Sequence, residues 1–206
     1  MFPYTSAGPI VRYTDIETQL KQRTINISKF GIGAELFVKG LAKKVLLADN
    51  LSVLYSSICG HPQMSVFTSW LGILAYTMQL YFDFSGYSDM AIGLGKMLGF
   101  DFNKNFDYPY ISTSVSEFWR RWHISLGSWF RDYIYIPLGG NRVSTLKHIR
   151  NILVVWALTG LWHGASWNFV LWGVYYGLFL LLEKFVLQKY LKKIPSWLCT
   201  VYTMLV

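Results

Sequence analysis

The sequence predicts an all-α membrane protein, and three observations support this fold class. Of the 206 residues, 53% are hydrophobic and only 15% are charged, whereas soluble domains carry about 25% charged residues. Residues 50–82 contain no Asp, Glu, Lys or Arg, and neither do residues 151–182. Each stretch exceeds the roughly 20 residues that one helix needs to cross a bilayer. We therefore expect a polytopic all-α protein in the cell membrane, with some short or re-entrant helices.

The net charge of +8 comes from basic residues that lie between the apolar stretches. They cluster in residues 12–44, 120–150 and 184–193. This placement is typical of cytoplasmic loops next to anionic lipid, which makes the lipid bilayer an expected partner. It argues against nucleic acid as a partner, because nucleic-acid-binding modules do not come embedded in uncharged spans.

The first part of the chain predicts an irregular entry segment followed by a long helix. Residues 1–13 hold two prolines and a glycine, which disfavour a helix start. Residues 26–58 are expected to be helical, and the part after Asp49 is expected to enter the membrane. The lysines of this helix should lie at the interface with their ammonium groups reaching the polar layer: Lys39, Lys43 and Lys44.

Residues 64–82 form a candidate transmembrane helix, and a short glycine-rich stretch follows it. Gly93-Leu-Gly95 weakly resembles a phosphate-binding loop, but no predicted strand precedes it. Glycines that let membrane helices approach closely are the favoured interpretation. Residues 101–112, which include Pro109, are expected to form a loop.

A single amphipathic helix is predicted from Ser114 to about Arg131. Ser114 and Glu117 have the spacing of a capping box. Apolar residues then recur at steps of three and four, with arginines on the remaining positions. Trp- and Arg-rich helices of this kind lie in the membrane interface, and residues 137–141 are expected to end the segment as a turn.

Two apolar helices, residues 149–162 and 166–182, are predicted on either side of His163. The first has about 14 residues, or roughly 21 Å, which is short of the roughly 30 Å hydrocarbon layer. Because basic residues flank both outer ends, we expect a hairpin that enters and leaves on the cytoplasmic side. His163 would then lie buried at its bend.

A buried His163 has two interpretations that the pattern does not separate. An ionisable side chain within a membrane span is costly and usually has a task or a partner. Burial disfavours the charged imidazole, and a neutral ring next to a hydroxyl suits general-base catalysis of acyl transfer. Alternatively, His163 is structural and bonds a backbone carbonyl at the bend. His123, on the amphipathic helix, either points toward a cavity or lies at the headgroup level.

Other chemistries find little support in the sequence. No metal site is expected, because the histidines show neither an i, i+4 pair nor a nearby cysteine. The Ser and Asp residues of 83–89 lack the G-x-S-x-G turn of a serine hydrolase. No chemistry is assigned to the two remaining histidines, His61 and His148.

Three segments in this order, YFDFSGYSDMAIGLGKMLGF, NFDYPYISTSVSEFWRRWHISLGSWFRDYIYIPLGGNR and LTGLWHGASWNFVLWGVYYG, strongly resemble the membrane-bound O-acyltransferase (MBOAT) family. The likeness is greatest to its bacterial alginate O-acetyltransferase branch, and the D-alanyl transfer proteins of teichoic acid are also similar. The opening FPYTSAGPIVRY looks like an earlier segment of the same branch. WRRWHISL and GLWHGASW are the most specific motifs.

This resemblance implies that His163 corresponds to the catalytic histidine of the family and His123 to its second active-site histidine. It implies an acyl donor, acetyl-CoA or an acyl carrier, and no permanently bound cofactor. It further implies a polysaccharide acceptor outside the cytoplasm and a secreted or periplasmic acetyltransferase partner. Members of the branch are about twice as long, so residues 1–206 are expected to form one partial membrane domain that lacks flanking helices at both ends.

Two hypotheses of other classes stay open. The first is a transporter or proton relay that uses His163 and His123 as protonatable stations, although no internal repeat typical of transporters is visible. The second is a non-catalytic scaffold of a polysaccharide-modifying complex.

Overall fold

Residues 8–206 are described by a computed structural model, and every regular element among them is helical. This confirms the predicted all-α class. The chain divides into two compact units, the first ending at Asn105 and the second spanning Phe106–Val206. The helices are α1 Tyr13–Gln22, α2 Ile27–Ala42, α3 Asp49–Cys59, α4 Val66–Met97, α5 Val115–Arg121, α6 Ile124–Phe130, α7 Thr145–His163, α8 Trp167–Leu182, α9 Gln188–Leu191 and α10 Ser196–Leu205.

The predicted helix over residues 26–58 is confirmed, with one irregular turn inside it. Asn26 caps the start of α2, where its side chain accepts a hydrogen bond from the backbone N–H of Lys29 at 2.7 Å, as capping side chains do. A π-helical turn, Lys43–Ala48, joins α2 directly to α3. Of the predicted entry segment, residues 1–7 lie outside the described part and residues 8–12 are non-helical.

Helix α4 is much longer than predicted. The sequence indicated a helix over residues 64–82 and a separate glycine-rich stretch, whereas one helix runs from Val66 to Met97. Glycine and aspartate disfavour helix locally, but the glycines of this stretch pack against the glycines of α2. Tertiary packing therefore outweighs local propensity here.

Helices α2 and α4 touch backbone to backbone at two glycine pairs. A Cβ atom on Gly40 would lie 2.5 Å from the carbonyl oxygen of Gly86, and one on Gly33 would lie 2.7 Å from that of Gly93. Both contacts are closer than any side chain tolerates. The expectation that Gly93 serves helix packing rather than phosphate binding is confirmed.

Ion pairs join α4 to the π-helical turn that follows α2. Lys43 lies 2.6 Å from Asp89, and Lys44 lies 2.7 Å from Asp83. The ammonium groups of both lysines thus have carboxylate partners on α4, and their position at a lipid interface stays a prediction. Residues 101–112 form the expected loop, interrupted by one 3₁₀ turn at Pro109–Ile111.

In the second unit, the predicted helix over 114–131 is broken in two. The side chain of Ser114 accepts from the backbone N–H of Glu117 at 3.0 Å, as the capping motif predicts. The chain then leaves helical geometry at Trp122, and His123 adopts a left-handed conformation with φ 46° and ψ 53° before α6 begins. Nothing in the local sequence is a helix breaker, so the packing of the unit sets this break.

The apolar hairpin forms, but its first helix is longer than expected. Helix α7 has 19 residues, or about 28 Å, because it begins at Thr145. The predicted start and length of this helix are therefore wrong, although about 28 Å still falls short of the roughly 30 Å hydrocarbon layer. Within residues 8–206, the one helix long and apolar enough to span a membrane is Trp167–Leu191, with 25 residues and a mean hydropathy of 1.6.

Helices α7 and α8 also approach through glycines. A side chain on Gly160 would collide with the carbonyl oxygen of Phe169, and one on Gly173 with that of Trp156. This close approach places the C-terminal end of α7 against the start of α8. His163, the last residue of α7, lies at that end.

Candidate active site

His163 lies on the connection between α7 and α8, as the sequence predicted, but its side chain is exposed. One side of the ring packs on aromatic side chains: its centre is 5.0 Å from the ring of Trp162 and 4.9 Å from the ring of Trp172. Phe169 stacks at 6.3 Å. The expectation of a buried His163 is thus wrong for the described residues, because the hairpin covers only this one side of the ring.

His123 is the buried histidine of the unit, with 6% of its surface exposed. It occupies the break between α5 and α6, and its Nδ1 lies 3.4 Å from the hydroxyl of Ser125. A left-handed backbone is uncommon for a residue other than glycine and costs of order 1–3 kcal/mol. At this break the imidazole is buried within the unit.

The two histidines meet at the side chain of Trp162. The ring of His123 lies 5.9 Å from that of Trp162, and the ring of His163 lies 5.0 Å from it. Two residues far apart in sequence are therefore brought to one place, which the spacing alone did not predict. Both side chains are imidazoles, whose ring nitrogens can donate or accept a hydrogen bond.

An aromatic cluster supports this arrangement from α5, α7 and α8. Trp119 contacts Trp156 at 4.9 Å, Trp172 at 5.7 Å and Tyr176 at 4.9 Å between ring centres. These edge-to-face contacts are the geometry that aromatic pairs favour. Trp172 also contacts His163, so the cluster connects α5 to the aromatic side chains on which His163 packs.

Burial, with a smaller contribution from the nearby His163, lowers the pKa of His123 from its ordinary 6.5 to about 4. The imidazole is consequently neutral at physiological pH. Between pH 6.5 and about 4, His123 binds a proton in the unfolded chain but not in the folded one. The free energy of unfolding therefore falls as the pH drops below 6.5, and it levels off below about 4.

Lowering the pH from 7.5 to 5.0 is expected to cost the wild-type protein about 2 kcal/mol more than the His123→Asn variant. Asparagine tolerates the left-handed backbone and does not titrate. Thermal unfolding in detergent at the two pH values measures the difference. Equal losses in both proteins would show that His123 is not held neutral by burial.

The sequence analysis missed Glu183, which is 3% exposed. Its carboxylate accepts hydrogen bonds from the backbone N–H groups of Val115 and Ser116, at 2.6 and 2.9 Å, and from the Ser116 hydroxyl at 2.7 Å. The charge-free stretch ends at Leu182, so Glu183 falls just outside the helix that the sequence predicts. The signal available was its position within a long apolar helix, since a charge there usually has a partner.

His148 was given no chemistry, but it is buried and central to a second polar group. Its Nε2 lies 2.9 Å from the hydroxyl of Tyr135 and 3.2 Å from the ammonium of Lys184. An ammonium only donates, so a hydrogen bond with Lys184 requires that Nε2 be the acceptor nitrogen of His148. These residues and Glu183 line a cavity of about 560 Å³, and neither His123 nor His163 lines it.

Comparison with known proteins gives this geometry a context. Residues 1–195 match the membrane-bound O-acyltransferase family. The chain is 51% identical over 184 residues to the probable alginate O-acetylase AlgI of Azotobacter vinelandii, covering 89% of this chain and 37% of that protein. It is 39% identical to the peptidoglycan O-acetyltransferase of Helicobacter pylori, covering 97% of this chain and 40% of that protein.

A more distant relative is the teichoic acid D-alanyltransferase of Bacillus subtilis, 31% identical over 96% of this chain and 52% of that protein. The chain spans about 37% of the length of the alginate relative. Both histidines, the aromatic cluster and Glu183 lie within residues 1–195.

Proposed function

Because the chain belongs to the membrane-bound O-acyltransferase family, we propose that it carries the catalytic histidines of a multi-pass membrane enzyme that O-acylates a polysaccharide. The donor is acetyl-CoA or an acyl carrier, and the acceptor is a hydroxyl of an alginate-like or other polymer outside the cytoplasm. A secreted acetyltransferase partner receives or delivers the acyl group. The observation that supports this best is the meeting of His163 and His123 at Trp162.

In the proposed reaction, His163 is the general base. One ring nitrogen takes the proton of the acceptor hydroxyl as that oxygen attacks the thioester carbonyl. The tetrahedral intermediate then collapses, the carbon–sulfur bond breaks, and the imidazolium returns its proton to the departing thiolate. The exposed side of the His163 ring leaves room for both substrates to approach it.

His123 has a different proposed role, because it is buried and neutral. A neutral imidazole offers one N–H donor and one acceptor nitrogen, so it orients a substrate hydroxyl or carbonyl without adding charge. The aromatic cluster fixes the surface on which His163 packs. Rigid placement of this kind is what keeps reacting atoms within reach.

Labelled acetyl transfer tests the proposal directly. Proteoliposomes that contain the complete protein are supplied with labelled acetyl-CoA or acetylated carrier protein, and with de-acetylated alginate or glycan strands. Label is expected in the polymer and is expected to depend on His163. Unlabelled polymer with either donor overturns the proposal. Proton or solute flux in the same vesicles would then favour a relay, and no flux a scaffold.

A further inference from the structure

Glu183 is buried in an apolar helix that is long enough to span a membrane. Moving a carboxylate out of water costs several kcal/mol unless partners compensate for the lost hydration. A leucine at this position would fill space at less cost. The residue must therefore be explained by what it binds.

Its shortest hydrogen bonds all come from the start of α5. The backbone N–H groups of Val115 and Ser116 and the hydroxyl of Ser116 donate to the carboxylate, at 2.6, 2.9 and 2.7 Å. Tyr202 of α10 makes a longer contact of 3.4 Å. The first N–H groups of a helix have no acceptor within the helix, so Glu183 supplies what the helix cannot.

Helix α5 leads directly from this attachment to the proposed site. Trp119, one turn beyond Ser116, packs on Trp172 and Tyr176 of α8. The helix ends at Arg121, and His123 follows two residues later. A short helix held at its start and in its middle leaves little freedom for the residue just past its end.

We propose that Glu183 is a positioning residue for the proposed acyl transfer: by binding the first turn of α5, it sets where His123 lies relative to Trp162 and His163. The inference rests on the proposed function. Glu183 touches neither histidine, so its effect on the reaction passes through α5.

The test compares four variants of the complete protein in the acetyl-transfer assay. Glu183→Gln keeps the size but replaces one acceptor oxygen with an NH₂ group, and kcat is expected to fall about 10- to 100-fold, with KM for the donor within about twofold. Glu183→Asp should recover part of this loss. Ser116→Ala, which removes only one donor, should lie between wild type and Glu183→Gln. The double variant Ser116→Ala/Glu183→Gln should lose little more than Glu183→Gln alone, because both changes break one interaction.

The matched control is Glu35→Gln. Glu35 is an exposed carboxylate whose ion pair with Lys39 spans 2.6 Å on the surface of α2. Its variant should keep wild-type kcat, which shows that loss of a carboxylate as such is harmless.

A second measurement does not depend on activity. Site-resolved modification of histidines by diethylpyrocarbonate should be faster at His123 in Glu183→Gln and Ser116→Ala than in wild type, and unchanged at the exposed His61. If the wild-type protein transfers no acetyl group, the proposed function is refuted. The rate of His123 modification still tests whether Glu183 positions His123. Wild-type kcat and an unchanged His123 rate in Glu183→Gln overturn the inference. If Glu183→Gln fails to fold, an unchanged rate in Ser116→Ala overturns it.

Discussion

Replacement of His163 by alanine is expected to lower polymer acetylation by the complete protein about 1,000-fold. General-base catalysis contributes about 10²- to 10⁴-fold, and His163 is the proposed base, with its ring centre 4.9 Å from that of Trp172. Insertion into the membrane and thermal stability should change little, because the side chain is exposed. Initial rates of label transfer at saturating donor measure the effect.

Two further variants make this result specific. His163→Gln keeps a hydrogen-bonding side chain of similar length but no basic nitrogen, and it should be as inactive as the alanine variant. His61→Ala removes an exposed histidine outside both helices of the hairpin and should retain full activity. Residual transfer above about a tenth of wild type in either His163 variant would contradict the role of base.

Replacement of Gly40 by alanine is expected to destabilise the first unit by about 2–3 kcal/mol, a usual cost of overpacking. The added Cβ would lie 2.5 Å from the carbonyl oxygen of Gly86 and 2.8 Å from the amide nitrogen of Met90. Both atoms belong to the backbone of α4, so neither can move aside without separating the helices. Separation would also lengthen the ion pair between Lys43 and Asp89.

Gly31→Ala is the matched control and should change stability in the opposite direction. Gly31 lies on the same helix, and a Cβ there would meet nothing within 4 Å. Alanine is favoured over glycine within a helix by about 0.5–1 kcal/mol, so a small gain is expected. Thermal or denaturant unfolding in detergent compares the two. A loss of similar size in both variants would mean that the glycine contact does not hold α2 against α4.

The helices themselves could largely be predicted from the sequence, because apolar periodicity and capping residues act locally. Asn26 and Ser114 mark helix starts that the structure keeps. The fusion of residues 83–97 into α4 could not be predicted, since it depends on glycines about 50 residues earlier. The left-handed turn at His123 is a similar case: no glycine or proline adjoins it in the sequence, so no local signal marks the break.

The candidate site was predicted in its residues but not in its geometry. His163 and His123 were identified through motifs, whereas their common contact with Trp162 required the fold. The sequence predicts a buried His163, but the buried histidine of this pair is His123. His163 ends a helix and is covered on fewer sides than His123, which lies between two helices. Glu183 could not be identified in this way, because an apolar stretch defined by the absence of charge ends at the first carboxylate. Any carboxylate within an apolar helix is then left outside the predicted helix.

The π-helical turn Glu183–Leu187 has a consequence for sequence change. A π turn holds one residue more than an α turn in the same helix, so deletion of a single residue there restores ordinary winding. Because the π turn takes up this extra residue, the residues on either side of it face the directions that they would have in an unbroken α-helix. Lys189 and Lys192 would therefore keep nearly the same direction after such a deletion. A deletion elsewhere in the helix would instead rotate every following residue by about 100°, so this turn is the place where the helix best tolerates the loss of one residue.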